Sequence, residues 1–196
     1  MIAYLRGKLV HKEPTHVVID VGGVGYQASI SLNTFSEIKD QENILLATYL
    51  HVREDAHLLY GFSSEAEKAL FLNLISVNGV GPNTAMVMLS SLPPAELKAA
   101  ILREDAATLQ AVKGIGGKTA QRLILELRDK LRKASPDGGA TLSGAQGNTL
   151  RQEALTALVT LGISRSSAEA SIDGILRKSG NTISLEDLVK QALKNA

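Results

Sequence analysis

A glycine pattern occurs twice in this chain, and it constrains the fold more than any other feature of the sequence. Gly79-Val80-Gly81 and Gly114-Ile115-Gly116 stand 35 residues apart. At this offset the flanking residues align too: Leu74 with Leu109, Val77 with Val112, Thr84-Ala85 with Thr119-Ala120, and Leu92 with Leu127. Apolar residues three and four apart precede and follow each pattern. The repeat therefore predicts two helix-hairpin-helix units.

The spacing of these hairpins suits phosphate binding. Glycine permits positive φ and carries no side chain, so a phosphate can approach the backbone closely. Val80 and Ile115 are expected to point inward and anchor the turns. A helix begins directly afterwards, with free N–H groups and the positive end of its dipole facing the ligand. Such contacts hold DNA without reading its bases. The predicted DNA-binding residues are Asn78, Gly79, Val80, Gly81, Pro82, Asn83, Thr84, Lys113, Gly114, Ile115, Gly116, Gly117, Lys118, Thr119 and Arg122.

Charge is distributed unevenly along the chain. The net charge is only +1, but residues 63–134, which contain both hairpins, carry +3. Cysteine and tryptophan are absent and aromatic residues make up 4%, so thiolate metal sites are excluded and a stacking platform for single strands is not expected. No apolar run approaches 18 residues, and no signal peptide is recognisable. We expect a cytoplasmic protein without a membrane span.

The hydrophobic period changes along the chain and predicts an α+β multidomain protein. Residues 1–63 show about five short strands, which suggests a small closed β-barrel. Residues 64–134 have helical period. Residues 135–149 are small, polar and glycine-rich, which is typical of a flexible linker. Residues 150–196 are predicted to form three short helices.

Two other segments could carry chemistry. Residues 21–25, Val-Gly-Gly-Val-Gly, look like a phosphate loop, but a strand follows them, so a tight turn is predicted. Glu54-Asp55 is the obvious carboxylate pair, and from sequence alone it is a solvated hairpin turn. The four histidines, at 11, 16, 51 and 57, lack helical ligand spacing, so no metal site is predicted.

Three other interpretations of these motifs stay open at this point. A helix-hairpin-helix glycosylase would need aromatic stacking and a catalytic Asp or Lys. Residues 63–134 contain one aromatic residue, Phe71, and Asp129 is the only acid late enough in that segment. A metal nuclease would have to use Glu54-Asp55 without an evident third ligand. A plain duplex binder would share the hairpins and leave the barrel without a role.

Taken together, these segments resemble the RuvA family, which recognises Holliday junctions in bacteria, and the resemblance covers the whole chain. Residues 52–62, VREDAHLLYGF, are similar to the most characteristic family segment. The family's start, its barrel and its two hairpins are matched by residues 1–7, by VIDVGGVGY at 18–26, by Asn78 to Pro82 and by Gly114 to Leu123. Ala154-Leu155, Leu158 and Leu161-Gly162 look like its C-terminal helicase-binding domain.

The resemblance implies a non-catalytic subunit that binds four-way junctions in recombination and DNA repair. It implies an OB-like five-stranded barrel, tandem helix-hairpin-helix motifs and a UBA-like three-helix bundle. It also implies a homotetramer, with an octamer as the alternative, and partnership with the RuvB motor ATPase and the RuvC resolvase. ATP and Mg²⁺ would belong to the motor, with no cofactor in this chain. Leu158, Leu161, Gly162 and Ile163 would contact the motor.

The resemblance also gives the carboxylate pair a role. In the family, Glu54 and Asp55 would form an acidic pin near the junction centre, with Arg53 beside them steering the backbone. The match is incomplete at two hairpin positions where relatives often carry lysine, because this chain has Asn83 and Gly117. We therefore expect weaker and less salt-sensitive junction binding than in a lysine-bearing relative.

Overall fold

The structure is a computed structural model that describes residues 1–134, 145–179 and 183–195. Side chains are described within 1–132, 150–177 and 183–195. The chain forms two compact units, residues 1–138 and 139–196. The first contains the barrel and the hairpins, and the second contains the C-terminal helices.

Five strands close into the predicted N-terminal barrel. The strands are β1 Tyr4–Glu13, β2 His16–Val21, β3 Val24–Ile30, β4 Asn43–Val52 and β5 His57–Phe62. They run in the order β1-β2-β3-β5-β4, and antiparallel pairing of β1 with β4 completes the closure. Within the barrel, β3 and β5 form the one parallel pairing, where Ser29 lies opposite Tyr60. Alternate strand residues fill the interior, among them Leu5, Val17, Ile19, Ala28, Ile30, Ile44 and Leu46.

The glycine-rich segment at 21–25 is the predicted tight turn. Val21 pairs with Val24 across it, and Gly22 and Gly23 have φ of 64° and 91°. Positive φ at both central positions defines a type I′ hairpin, whose twist suits the flanking strands. The Asp20 carboxylate accepts from the Gly23 N–H at 2.7 Å. The glycines therefore serve the turn itself.

A short helix, α1 (Leu32–Ile38), joins β3 to β4 and is not predicted from the sequence. Ser31 caps it by accepting from the Thr34 N–H at 2.9 Å. Its buried residues are Thr34 and Ile38. Two such residues in seven give too little periodicity to reveal a helix.

The central helices pack against the barrel and share a core with it. They are α2 Glu65–Ile75, α3 Pro82–Ser91, α4 Pro94–Leu102, α5 Ala106–Gln110 and α6 Gly117–Ala134. Phe71 of α2 is fully buried, and its ring centroid lies 4.9 Å from that of Phe62 and 5.3 Å from that of Tyr60. The two predicted segments, 1–63 and 64–134, are therefore one compact unit. Among the described residues no single helix is long and apolar enough to cross a membrane; α3 and α4 pass that test only together, bent by 101°.

The C-terminal unit contains α7 Ala145–Thr160, α8 Arg165–Ser179 and α9 Leu185–Asn195. α7 begins at Ala145, so the predicted linker is too long at its C-terminal end, and its remainder, 135–144, lies outside the described residues. Arg151 of α7 donates two bonds to Asp173 of α8, at 2.8 and 3.0 Å, and these bonds lower the pKa of the carboxyl group. The bundle core consists of Ala154, Leu155, Leu158, Ala168, Ile172, Ile175, Leu188 and Ala192.

Candidate nucleic-acid interface

The two hairpins have the same backbone geometry at the predicted offset. α2 and α5 end at Ile75 and Gln110, and α3 and α6 begin at Pro82 and Gly117, so both differences equal 35. Gly79 and Gly114 both have φ of 93°. Corresponding N–H groups make corresponding bonds: Val80 to Val77 and Ile115 to Val112 at 3.1 Å, Ala85 to Gly81 at 3.0 Å, and Ala120 to Gly116 at 2.9 Å. The repeat read from the sequence is thus a structural repeat.

The apolar residue in each hairpin anchors it, as predicted. Val80 and Ile115 are each only 5% exposed and belong to the same core as the helices. Val77 and Val112, one turn earlier, are also buried. With these side chains directed inward, the backbone of each turn is held at the surface. Burial of this kind stabilises a structure by roughly 1.5–3 kcal/mol per large aliphatic side chain.

The N–H groups at the start of α3 and α6 are available to a ligand. Gly81 caps α3 without a side-chain hydrogen bond, and Pro82 occupies the first turn. Within the described residues, the N–H groups of Asn83, Thr84, Lys118 and Thr119 have no protein acceptor. Free donors at a helix N-terminus, together with the positive end of the dipole, favour an anion.

The first and the second glycine of each hairpin differ in backbone conformation, so glycine is needed at the two positions for different reasons. Gly79 and Gly114 require it because φ of 93° strains other residues. Gly81 has φ of −86° and ψ of 170°, which any residue adopts. A Cβ at Gly81 or Gly116 would meet no atom of the described chain within 4 Å. Neither conformation nor packing therefore explains the second glycine, whereas close approach of an external group would.

The predicted cations stand beside the hairpins. Lys113 and Lys118 are exposed, and neither has an ion pair among the described residues. Arg122 of α6 donates to the carbonyl of Asn78 at 3.1 Å and lies 4.0 Å from Glu126. One side chain of the second helix-hairpin-helix motif therefore reaches the first hairpin, which places both hairpins close together. Because Arg122 already has two partners, the lysines are the freer source of charge.

Asn83 has a partner that the sequence does not reveal. The hydroxyl of Tyr60, a residue of β5, donates to the Asn83 amide oxygen at 3.3 Å. Burial raises the pKa of Tyr60, partly offset by the charge of Arg53, so this hydroxyl stays protonated at neutral pH. Asn83 lies on an exposed part of α3, and its NH₂ group is left to donate outward. The residue that replaces a lysine is thus oriented by the barrel.

A buried carboxylate, also missed from the sequence, fastens the barrel to the helices. Glu67 of α2 is 1% exposed and accepts from Ser31 and Thr34, each at 2.6 Å, and from Ser63 at 3.3 Å. Ser31 and Thr34 belong to α1 and its cap. In a linear sequence, 36 residues separate Ser31 from Glu67, so no local pattern signals the contact. The network fixes the hairpin-bearing helices relative to the barrel.

The carboxylate pair lies where it is predicted, at the exposed tip of the β4–β5 hairpin. Arg53 closes the turn by donating its N–H to the Ala56 carbonyl at 2.9 Å. Its guanidinium also lies 3.1 Å from the Asp55 carboxylate. Glu54 has no hydrogen bond or ion pair among the described residues. Arg53 therefore partly neutralises the tip, and Glu54 carries its uncompensated charge.

The four residues predicted to contact a motor divide into two groups. Leu158 is fully buried in the bundle core, so the prediction of a direct contact by its side chain is wrong. Gly162, with φ of 93°, ends α7, and the Ile163 N–H bonds to the Leu158 carbonyl at 3.0 Å. Ile163 packs partly against the core, whereas Leu161 is 60% exposed. Of the four, Leu161 presents the most apolar surface.

The two residues that the glycosylase hypothesis requires, Phe71 and Asp129, have other contacts in the structure. Phe71 is in the core and cannot stack on an extruded base. Asp129 is exposed on α6 and forms ion pairs with Arg128 and Arg132 at 3.5 and 3.6 Å. The structure does not bring these two residues together in a pocket.

Comparison with known sequences agrees with this geometry. The profile of the RuvA N-terminal domain matches residues 1–61, and that of the SAM-like helix-hairpin-helix tandem matches residues 71–129. A protein of Cytophaga hutchinsonii is 54% identical over 99% of both chains. The chain belongs to the RuvA family. Relatives in Amoebophilus asiaticus and Bacteroides thetaiotaomicron are 48% and 43% identical, each covering 99% of this chain and 100% or 99% of its own.

All three relatives are named Holliday junction branch migration complex subunit RuvA. The two matched profiles end and begin on either side of the β5–α2 junction, where Ser64 caps α2. Family membership therefore agrees with the closed barrel and the paired hairpins described above.

Proposed function

We infer that this chain is a non-catalytic DNA-binding subunit that recognises four-way junctions and recruits the RuvB ATPase for branch migration. The observation that carries the inference is the pair of equivalent hairpins, in which free N–H groups and an otherwise unexplained glycine face outward. A phosphate fits this arrangement, because it needs several donors and close approach to the backbone. The names of its relatives specify the kind of DNA and the process.

A homotetramer would convert phosphate binding into junction recognition. Four copies around a fourfold axis would present eight hairpins, two to each DNA arm, with the Glu54 turns near the centre. Because Arg53 pairs with Asp55, each turn contributes about one net negative charge, and four turns about four, rather than the eight that the carboxylates alone suggest. Even that charge repels a phosphate backbone in a small space and helps to separate strands at the crossover.

The C-terminal bundle would recruit the motor. It is a compact unit of its own, and its surface carries three exposed apolar side chains, Val159, Leu161 and Leu193, which are exposed by 45%, 60% and 41%. Exposed apolar side chains on a small bundle suit docking to a partner protein. ATP and Mg²⁺ would be held by the motor, and we also propose RuvC as a further partner of the assembled junction.

The deciding experiment compares gel-shift affinities for a four-way junction and for linear duplex of equal length. We expect a strong preference of the wild-type chain for the junction. The double variant Glu54→Gln with Asp55→Asn is expected to bind linear duplex more tightly and thereby lose part of that preference. Glu37→Gln with Asp40→Asn, which removes two exposed acids on and just after α1, is the matched control.

Equal affinity for junction and duplex in the wild-type chain would contradict junction recognition and favour a plain duplex binder. An unchanged preference in the pin variant would leave junction binding standing and would refute the role given to Glu54 and Asp55. Magnesium-dependent cleavage of the junction by this chain alone would contradict its non-catalytic assignment.

A further inference from the structure

Three potential metal ligands meet on one face of the β1–β2 hairpin, and none of them is assigned to DNA binding. They are His11, Glu13 and His16, and their ligand atoms all lie within 4.8 Å of one another. The His11 Nε2 atom is 3.1 Å from one Glu13 carboxylate oxygen, and the His16 Nδ1 atom is 3.7 Å from the other. Within the described ranges this is the group that could hold a metal ion.

The strand register explains why these side chains converge. His11 and Glu13 are two residues apart on β1, so they point to the same face. Glu13 pairs directly with His16 of β2, across a turn formed by Pro14 and Thr15. Directly opposed residues of antiparallel strands also share a face. No metal site is predicted from the sequence because the histidines lack the ligand spacing of a helix. Here the pairing of two strands brings the ligands together instead.

The distances suit a small divalent cation. Ligands about 2.0–2.1 Å from zinc in tetrahedral geometry are separated from each other by about 3.3–3.4 Å. The two His–Glu distances of 3.1 and 3.7 Å, which run to the two different carboxylate oxygens of Glu13, lie on either side of that value, and one ligand atom from each residue lies within 4.8 Å of the other two. The side chains of His11 and Glu13 are 52% and 51% exposed and that of His16 is 28% exposed, so an ion can enter directly and rotamer changes are cheap.

The chemistry of the ligands selects the class of ion. Two imidazole nitrogens and one carboxylate oxygen suit Zn²⁺, Ni²⁺ or Cu²⁺, whereas Mg²⁺ and Ca²⁺ prefer oxygen ligands only. Three protein ligands leave one tetrahedral position for water. Neutral imidazoles and a carboxylate give the site one negative charge, which lowers the cost of binding a cation.

We propose that His11, Glu13 and His16 form a zinc-class metal site that clamps the tip of the β1–β2 hairpin. The bound ion would join the end of β1 to the start of β2 and stabilise the folded hairpin by mass action. Thr15 in the same turn accepts from the Ile30 N–H at 3.0 Å and lines a cleft of about 430 Å³ together with Tyr60 and Asn83. The clamp thus lies next to the part of the barrel that orients Asn83.

The test uses the untagged full-length chain, freed of metal with a chelator and titrated with Zn²⁺ by calorimetry in excess Mg²⁺. We expect one Zn²⁺ per chain and a rise in melting temperature. His11→Ala and His16→Ala should each weaken binding by roughly tenfold or more, because even loss of an indirect ligand contact costs 10–100-fold. Glu13→Gln should weaken it as well. His57→Ala, which removes an exposed histidine elsewhere on the barrel, should bind as the wild type does.

A second measurement uses only the wild-type chain, so it does not depend on whether the histidine variants fold. In the wild-type chain, imidazole NMR signals of His11 and His16 should shift on addition of Zn²⁺, while those of His51 and His57 stay in place. Absence of binding up to about 1 mM Zn²⁺ would reduce the group to a hydrogen-bonded cluster and overturn the proposal. Wild-type affinity in both histidine variants, or shifts confined to His51 and His57, would overturn it too.

Discussion

At the scale of single residues, the two glycines of each hairpin have different roles. Gly79, at φ of 93°, is needed by the fold, and Gly81, at φ of −86° with open space around its Cβ position, is not. Gly79→Ala should therefore lower the free energy of unfolding by about 1–2 kcal/mol. Gly81→Ala should change it by less than about 1 kcal/mol, because alanine restricts the unfolded chain but is a poorer N-cap than glycine. Chemical denaturation measures both.

The same pair separates stability from binding. If a phosphate approaches the Gly81 backbone, the added methyl group should lower junction affinity by roughly tenfold, about 1.4 kcal/mol, in a gel shift. Gly174→Ala on α8, where a Cβ also meets open space, is the matched control and should bind normally. Undiminished affinity in Gly81→Ala would mean that no phosphate comes close to this turn.

Gly117 offers a test of the missing lysines. A Cβ at Gly117 would first meet the Gln110 side chain at 3.6 Å, which is ordinary contact, so Gly117→Lys should fold. A new phosphate contact should steepen the plot of log affinity against log salt concentration by about 0.9 per contact. Gly174→Lys adds the same charge to the C-terminal unit and should change the slope little. A slope equal to that of the wild type would show that this position does not face a phosphate.

At the scale of elements, the Glu67 network holds α1 and α2 together. Ser31 and Thr34 donate to the carboxylate while accepting from the N–H groups of Thr34 and Ser63, so neither hydroxyl can easily reverse its role. Glu67→Gln places an NH₂ group against a donor and should cost about 1–3 kcal/mol of unfolding free energy. Glu65→Gln, at an exposed position of the same helix, should cost less than about 0.5 kcal/mol. Equal denaturation midpoints for the two variants would contradict the network's importance.

In the C-terminal bundle, Leu158 is a core residue and Leu161 is a surface residue, so their variants should have different effects. Leu158→Ala should destabilise the bundle by about 2–5 kcal/mol, because it opens a cavity in a small core. Leu161→Asp should leave thermal stability nearly unchanged and abolish stimulation of the RuvB ATPase, since Leu161 is largely exposed. Full stimulation by Leu161→Asp would place the motor contact elsewhere on the bundle.

At the scale of the whole molecule, the division into two units predicts separable activities. A chain ending at Gly138 retains the barrel, both hairpins and the aromatic contacts that join them. We expect it to bind four-way junctions with wild-type affinity and to fail in stimulating the RuvB ATPase. Loss of junction binding on truncation would show that the C-terminal unit takes part in DNA recognition.

The barrel and the hairpins could be predicted because their signals are local. β-Branched alternation and turn glycines mark the strands, and the 35-residue repeat fixes both Gly79 and Gly114 in equivalent turns. The start of α7 at Ala145 could not be found, since the glycine-rich composition of residues 135–149 favours a linker. The sequence could not show that Leu158 is buried and Leu161 exposed, because both leucines fit the same helical pattern of apolar residues.

The sequence by itself determined the five strands, the repeat of the hairpins and the family, since each depends on residues near to one another along the chain, whereas α1 and the start of α7 were missed. Tertiary structure decided which side chains meet. It joined Tyr60 to Asn83 and Glu67 to Ser31. It also brought His11, Glu13 and His16 onto one face through the register of two strands. Such pairings depend on packing between elements, which no local pattern encodes.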